Sequence, residues 1–172
     1  MAAALAGLAL AACGTQQATT SSAAQPVSPA AASHPATPAK AGSPLCSSVS
    51  SVTKLVVTRV TALPKNHLHF ALPAGVTITG AAAQKVARAV CALPATAHGA
   101  VMMCPADFGV SYRLSFAAGQ VAFPVVTVSA GGCAEVVGAG PARQATSAAF
   151  WTGLAQAMGV PHPSSSALQG TS

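Results

Sequence analysis

The chain has 172 residues and is 52% hydrophobic, yet only 6% of it is charged, against roughly 25% in an average soluble protein. Two acids, Asp107 and Glu135, stand against eight Lys and Arg, for a net charge of +6. The basic residues fall singly, at Lys40, Lys54, Arg59, Lys65, Lys85, Arg88, Arg113 and Arg143, without the clustered stripe and aromatic platforms of a nucleic-acid interface. No nucleic-acid partner is therefore expected, although so basic a surface is compatible with mild attraction to an anionic membrane or cell-wall polymer.

Met1 to Ala12 read MAAALAGLALAA, an apolar run of signal-peptide length and too short to cross a bilayer as a mature helix. No later segment is long and apolar enough to do so. Leu10-Ala11-Ala12-Cys13 resembles the bacterial lipobox: a Leu, two small residues that let the extended chain enter a peptidase, and a cysteine whose thiol accepts diacylglycerol. The resemblance implies lipid on Cys13, which then becomes the mature N-terminus. A signal peptide carries Lys or Arg before its apolar run; here Met1 leads directly into Ala, which points to a start upstream.

Residues 13–45 read as the lipidated cysteine and a linker. All but four of the 32 residues from Gly14 to Leu45 are Ala, Ser, Thr, Pro, Gln or Gly, and five are Pro. Such a segment buries too little apolar surface to offset its chain entropy and is expected to be disordered. A flexible chain of this length spans about 30 Å r.m.s., enough to hold a domain off a surface.

The folded domain is expected over residues 46–162, followed by a disordered tail at 163–172. Leu55–Val60 is a β-branched run and reads as a strand. Pro64-Lys65-Asn66 is a turn signal, His67–Ala71 alternates as a strand would, and Val76–Ile78 is another short strand. Thr79 is placed to cap a helix over Ala81–Leu93, with Val86, Val90 and Leu93 on one face and Pro94 as its stop. Val110–Phe116 is the clearest strand: Val110, Tyr112, Leu114 and Phe116 point one way, Ser111, Arg113 and Ser115 the other. Ala117–Gln120 is a hairpin loop to a partner strand Val121–Ser129, where Pro124 signals an edge or a bulge. A short strand is expected at Ala134–Val137. A last helix runs from Thr146 or Ser147 to Met158, with Phe150, Trp151, Leu154 and Met158 as its apolar stripe and Gly159 and Pro161 beyond its end. The order predicts an α+β fold: an antiparallel sheet of about four to five strands, two helices and two disulfides.

With Cys13 lipidated, Cys46, Cys91, Cys104 and Cys133 form an even set, as a secreted disulfide framework requires. Three pairings exist. Cys104 and Cys133 flank the long hairpin and so lie near its open end, which favours joining them; Cys46 with Cys91 would then tie the start of the domain to the first helix. No C-x-x-C pair supports zinc. His67 and His69 are weak metal candidates, since residues two apart on a strand share a side but no third ligand is evident; no cofactor is expected. Asp107 and Glu135 are the only carboxylates available for acid–base work, no G-x-S-x-G element supports a serine hydrolase, and Asp107 is better placed to cap a turn after Cys104-Pro105. The chain is therefore not expected to be an enzyme.

Cys104-Pro105-Ala106-Asp107-Phe108-Gly109, Tyr112-x-Leu114-x-Phe116, Gly132-Cys133 and Phe150-Trp151 together resemble a set of small lipoproteins of high-GC Gram-positive bacteria, over about residues 50–160. Val101–Cys133 is also similar to a segment of the subtilisin-inhibitor-like family. Those are secreted α+β domains in which a disulfide closes a Cys-Pro reactive loop onto a cysteine beyond the following hairpin. That resemblance implies a reactive loop at Pro105, Ala106 and Asp107, with Ala106 entering the protease pocket and Asp107 after the scissile bond. The expected function is a non-catalytic binding module, lipid-anchored through Cys13 on the extracytoplasmic face of the cell membrane, with an extracytoplasmic protein as partner; protease inhibition is the alternative.

Overall fold

The computed structural model describes residues 43–63, 67–70, 72–97, 99 and 101–171. The apolar leader, Cys13, the linker up to residue 42, the Pro64–Asn66 turn and His98 lie outside the described residues.

Folding begins before Cys46. A short helix α1, Pro44–Ser47, lies in what reads as linker, and Ser43 and Leu45 are buried. One turn of helix carries no periodicity, so the composition of its neighbours masks it; Pro44 sets the backbone for a first turn and Leu45 anchors it in the core. After a 3₁₀ turn at Val49–Ser51, strands β1 (Lys54–Thr61) and β2 (Gly75–Thr79) form an antiparallel pair. Helix α2 (Gly80–Cys91) follows directly. Thr79 is its N-cap by position, but its hydroxyl makes no capping bond.

Strand β3 (Val110–Ala118) is the middle of the molecule. It pairs antiparallel with β1 on one side and with β5 (Val126–Ser129) on the other, while the two-residue β4 (Val121–Ala122) closes its hairpin. Strands β6 (Glu135–Val137) and β7 (Arg143–Gln144) extend the sheet beyond β5. The order is β2-β1-β3-β5-β6-β7 with β4 on β3, seven strands in all, rather than four or five. The excess has two sources. The Val121–Ser129 strand is broken where Pro124 removes a ladder donor, although β5 beyond it lies inside the sheet, not at its edge. And β7 is too short to leave a pattern. With α3 (Ala148–Ala157) there are three helices among the described residues, not two.

Register builds the core. Leu55 lies opposite Phe116 and Ile78, Val57 opposite Leu114, Leu114 opposite Val126, and Val128 opposite both Tyr112 and Val136. All are buried, and α2 and α3 pack together, with α2 lying over β1 and β2. The row Thr58–Arg113–Thr127–Val137 runs across the other face.

Two segments depart from expectation. His67–Phe70 is not a strand: His67 has φ 48° and only His69 bridges, to Thr171. The tail is not wholly loose either. His69 and Thr171 exchange backbone bonds of 2.8 and 3.0 Å, Leu168 is buried, and the Tyr112 hydroxyl donates to the Leu168 carbonyl at 2.6 Å. The tail's polar composition implies disorder, but one buried leucine and one buried phenol fasten it. Arg59 lies 3.7 Å over the Phe70 ring and donates to the Leu72 carbonyl at 3.0 Å, closing the same corner.

Two measurements check this packing. Gly138 has φ +92°, and an added Cβ would sit 2.2 Å from the Val125 carbonyl oxygen; Gly138→Ala is expected to lower stability by about 3 kcal/mol in urea unfolding. Burial pushes the Tyr112 phenol up to about 12, with Arg59 pulling it down. A raised acid gives stability that is complete below the unfolded pKa and is lost as pH rises through the folded one. Tyr112 is the sole tyrosine, so phenolate absorbance is expected to titrate near 12 in the native protein and about 10 in denaturant. Tyr112→Phe should lack the matching alkaline loss of stability.

Candidate functional site

The segment Val101–Phe108 precedes β3 and is exposed along its whole length without secondary structure. Val101 is 97% exposed, Met103 100% and Phe108 59%. With Met102 also exposed, four apolar residues of this size within eight positions are not how a solvated loop is normally built. Among the described residues, Val101 to Asp107 make no backbone-to-backbone hydrogen bond.

The segment is nevertheless held at several points. Cys104 is bonded to Cys133, with Cα atoms 4.8 Å apart. The Gln144 side-chain amide donates to the Met102 thioether. The Gly109 amide donates to Asp107 Oδ1 at 2.8 Å, a side-chain turn that mimics a backbone one. The Gly109 carbonyl accepts from the Ala62 amide at 2.7 Å, and a Cβ on Gly109 would meet Leu63 at 2.8 Å. Asp107 in turn rests on Gly131 and Gly132: a Cβ on Gly131 would stand 2.9 Å from Asp107 Oδ1.

Behind the segment lies a cleft of about 570 Å³. Its floor is buried Val110, Ala130, Ala145 and Trp151; its rim includes exposed Phe108, Thr146, Ala148 and Gln169. Trp151 is fixed by its indole N–H, which donates to the Ala145 carbonyl at 2.6 Å, and by edge-on contacts with Tyr112 and Phe150.

The other candidates are placed as follows. Pro105, Ala106 and Asp107 are all exposed on the stapled segment. Cys46 and Cys91 form the second disulfide, joining α1 to the last residue of α2. His67 and His69 are exposed, but the left-handed backbone at His67 breaks the alternation that would align them. No group of three His, Cys, Asp or Glu among the described residues is arranged to hold a metal. Asp107 is engaged in its own turn, and Glu135 faces out from β6.

Sequence reasoning missed Met102 and Met103, the cleft and the role of Trp151. The one available signal was Val101-Met102-Met103, an apolar run with neither helical nor strand partners, directly beside a disulfide cysteine. The cleft left none, because its walls come from five separate stretches of chain.

The fold and site define a disulfide-stapled α+β domain that presents an exposed, irregular segment with apolar side chains. No protein-family model matches the chain, and no curated protein or solved structure matches it.

Replacing Cys104 and Cys133 together by Ser opens a loop with a sequence separation of 29, which by chain entropy should lower stability by about 3.5 kcal/mol. Chemical denaturation measures that loss. Limited proteolysis of the same variant is expected to cut first between residues 101 and 108.

Proposed function

We propose that the chain is a non-catalytic binding module, anchored by lipid on Cys13 to the extracytoplasmic face of a membrane, which engages another extracytoplasmic protein through Val101–Phe108. The observation that carries this reading is the stapled segment: the almost fully exposed apolar side chains of Val101 and Met103, held beside the Cys104–Cys133 disulfide. A restrained segment loses little chain entropy on binding, so its side-chain contacts are not spent on ordering it. Lipid supplies the anchor in this proposal; among the described residues no helix is long and apolar enough to cross a membrane. Two acyl chains hold stably where one binds marginally.

The decisive experiment is photo-crosslinking at the cell surface from position 101. A single protein captured by the wild type and lost in Met103→Asp, with the fold unchanged by circular dichroism, is expected. Equal capture by the variant, or hydrolytic activity of the purified chain that depends on Asp107 or a histidine, overturns the reading. For the anchor, Cys13→Ala is expected to abolish fatty-acid labelling and release the protein from the membrane fraction without changing its two disulfides. Wild-type protein from the correct start that appears unlabelled in the medium refutes lipidation.

A second reading draws on the same geometry. Exposure and a disulfide at Cys104 suit insertion into a protease cleft, with Ala106 in the specificity pocket and Asp107 beyond the scissile bond. The side chain of Asp107 supports such a segment by holding the Gly109 amide. Inhibition of a subtilisin- or elastase-like protease, lost in Ala106→Arg, is expected under this reading; no inhibition across such a panel removes it.

A further inference from the structure

We propose that the cleft behind the stapled segment is a separate binding site for a neutral amphiphile, a molecule with one apolar chain and an uncharged, hydroxyl-bearing head. The volume, about 570 Å³, falls within the range of small-molecule sites. The space exists because half of its walls are Ala or Gly, which leave unfilled the room that larger side chains would occupy in a core packed to ordinary density.

The chemistry of the walls selects the occupant. Among the described residues, no Lys, Arg, His, Asp or Glu lines the cleft. A charged ligand group placed there would lose its hydration with no opposite charge to replace it. The buried floor of Val110, Ala130, Ala145 and Trp151 offers only apolar surface and an indole face, since the indole N–H is already bonded within the protein. An alkyl chain fits that floor. Thr146 and Gln169 are uncharged polar side chains and stand exposed at the rim, where Ser165 is half-buried. A hydroxyl and an amide there match the hydroxyls of a glycerol or sugar head. This site is tested apart from the protein partner proposed above: Pro105, Ala106 and Phe108 belong to both surfaces, but Met103 does not line the cleft and Ala148 does not lie on the segment.

Trp151 is the only tryptophan of the chain, and it lines the cleft, so intrinsic fluorescence reports occupancy directly. The test uses the full chain carrying Cys13→Ala, with its disulfides intact, and n-octyl-β-glucoside below its critical micelle concentration as the probe. A saturable change in Trp151 emission is expected, and none with glucose alone. Ala148→Phe, which fills the rim from the first turn of α3, is expected to abolish the change. Thr146→Val is expected to weaken binding about fivefold, the scale of one neutral hydrogen bond, while leaving the affinity for the purely apolar dye N-phenyl-1-naphthylamine unchanged. No saturable change in the folded wild type, or an unaltered one in folded Ala148→Phe, overturns the site. Equal binding of octyl sulfate overturns the selection for a neutral head. The crosslinking experiment turns on Met103, outside the cleft lining, and the fluorescence experiment on Ala148, outside the segment, so each proposal fails or stands by itself.

Discussion

Strand β3 carries the load of this domain: it is the longest strand among the described residues and is paired along both edges, with β1 and with β5. Eight of its positions pair with β1 and four with β5. Its inward set of Val110, Tyr112, Leu114 and Phe116 therefore meets Leu55, Val57, Val126 and Val128 in register. A one-residue slip would turn all four outward and place Ser111, Arg113 and Ser115 in the core. The Tyr112 hydroxyl extends the same constraint to the chain end, because a buried phenol must find an acceptor, and it finds the carbonyl of Leu168.

The candidate site is the direct continuation of that strand. Gly109 has φ +71° and no room for a Cβ against Leu63, so the chain turns sharply before β3 and the preceding residues leave the sheet. Cys104–Cys133 then holds them against the turn that leads from β5 to β6. The result separates two surfaces of one segment: an outer face of exposed Val101 and Met103, and a back that walls the cleft through Pro105, Ala106 and Phe108. The two disulfides divide the work. Cys46–Cys91 fastens α1 to the end of α2, where Arg143 also donates to the Leu93 carbonyl at 2.5 Å and so sets a positive charge just past the helix C-terminus. The other disulfide fixes the candidate segment.

The scarcity of charge explains how the fold tolerates its openings. With only two acids in the chain, neither a buried ion pair nor a charged network holds the domain together; hydrophobic register, two covalent staples and a few side-chain-to-backbone bonds do. Gln84 shows the style of attachment, its amide donating to the Ser50 and Val52 carbonyls at 3.0 and 3.1 Å and so tying α2 to the 3₁₀ turn ahead of β1. Thr53, whose hydroxyl accepts from the Gly119 amide at 3.0 Å, fastens the tip of the hairpin in the same way.

The residues alone determined what depends on local periodicity. The alternation at 110–116, the helical stripes expected to end at Leu93 and Met158, and the α+β class are all readable, because a side chain's face follows from its position along one strand or helix, although α2 itself stops at Cys91. The hairpin made a Cys104–Cys133 pairing reasonable for the same reason: two strands joined by a tight turn bring their outer ends together. Tertiary structure decided what depends on distant partners. Leu45 in a linker-like stretch and Leu168 in a polar tail are each a single apolar residue with no pattern around it, and only the core they enter makes them ordered. The two-residue β7 exists because Glu135 and Val136 offer it an edge. The cleft is set by small residues from four stretches that meet only after folding, so no window of sequence contains it.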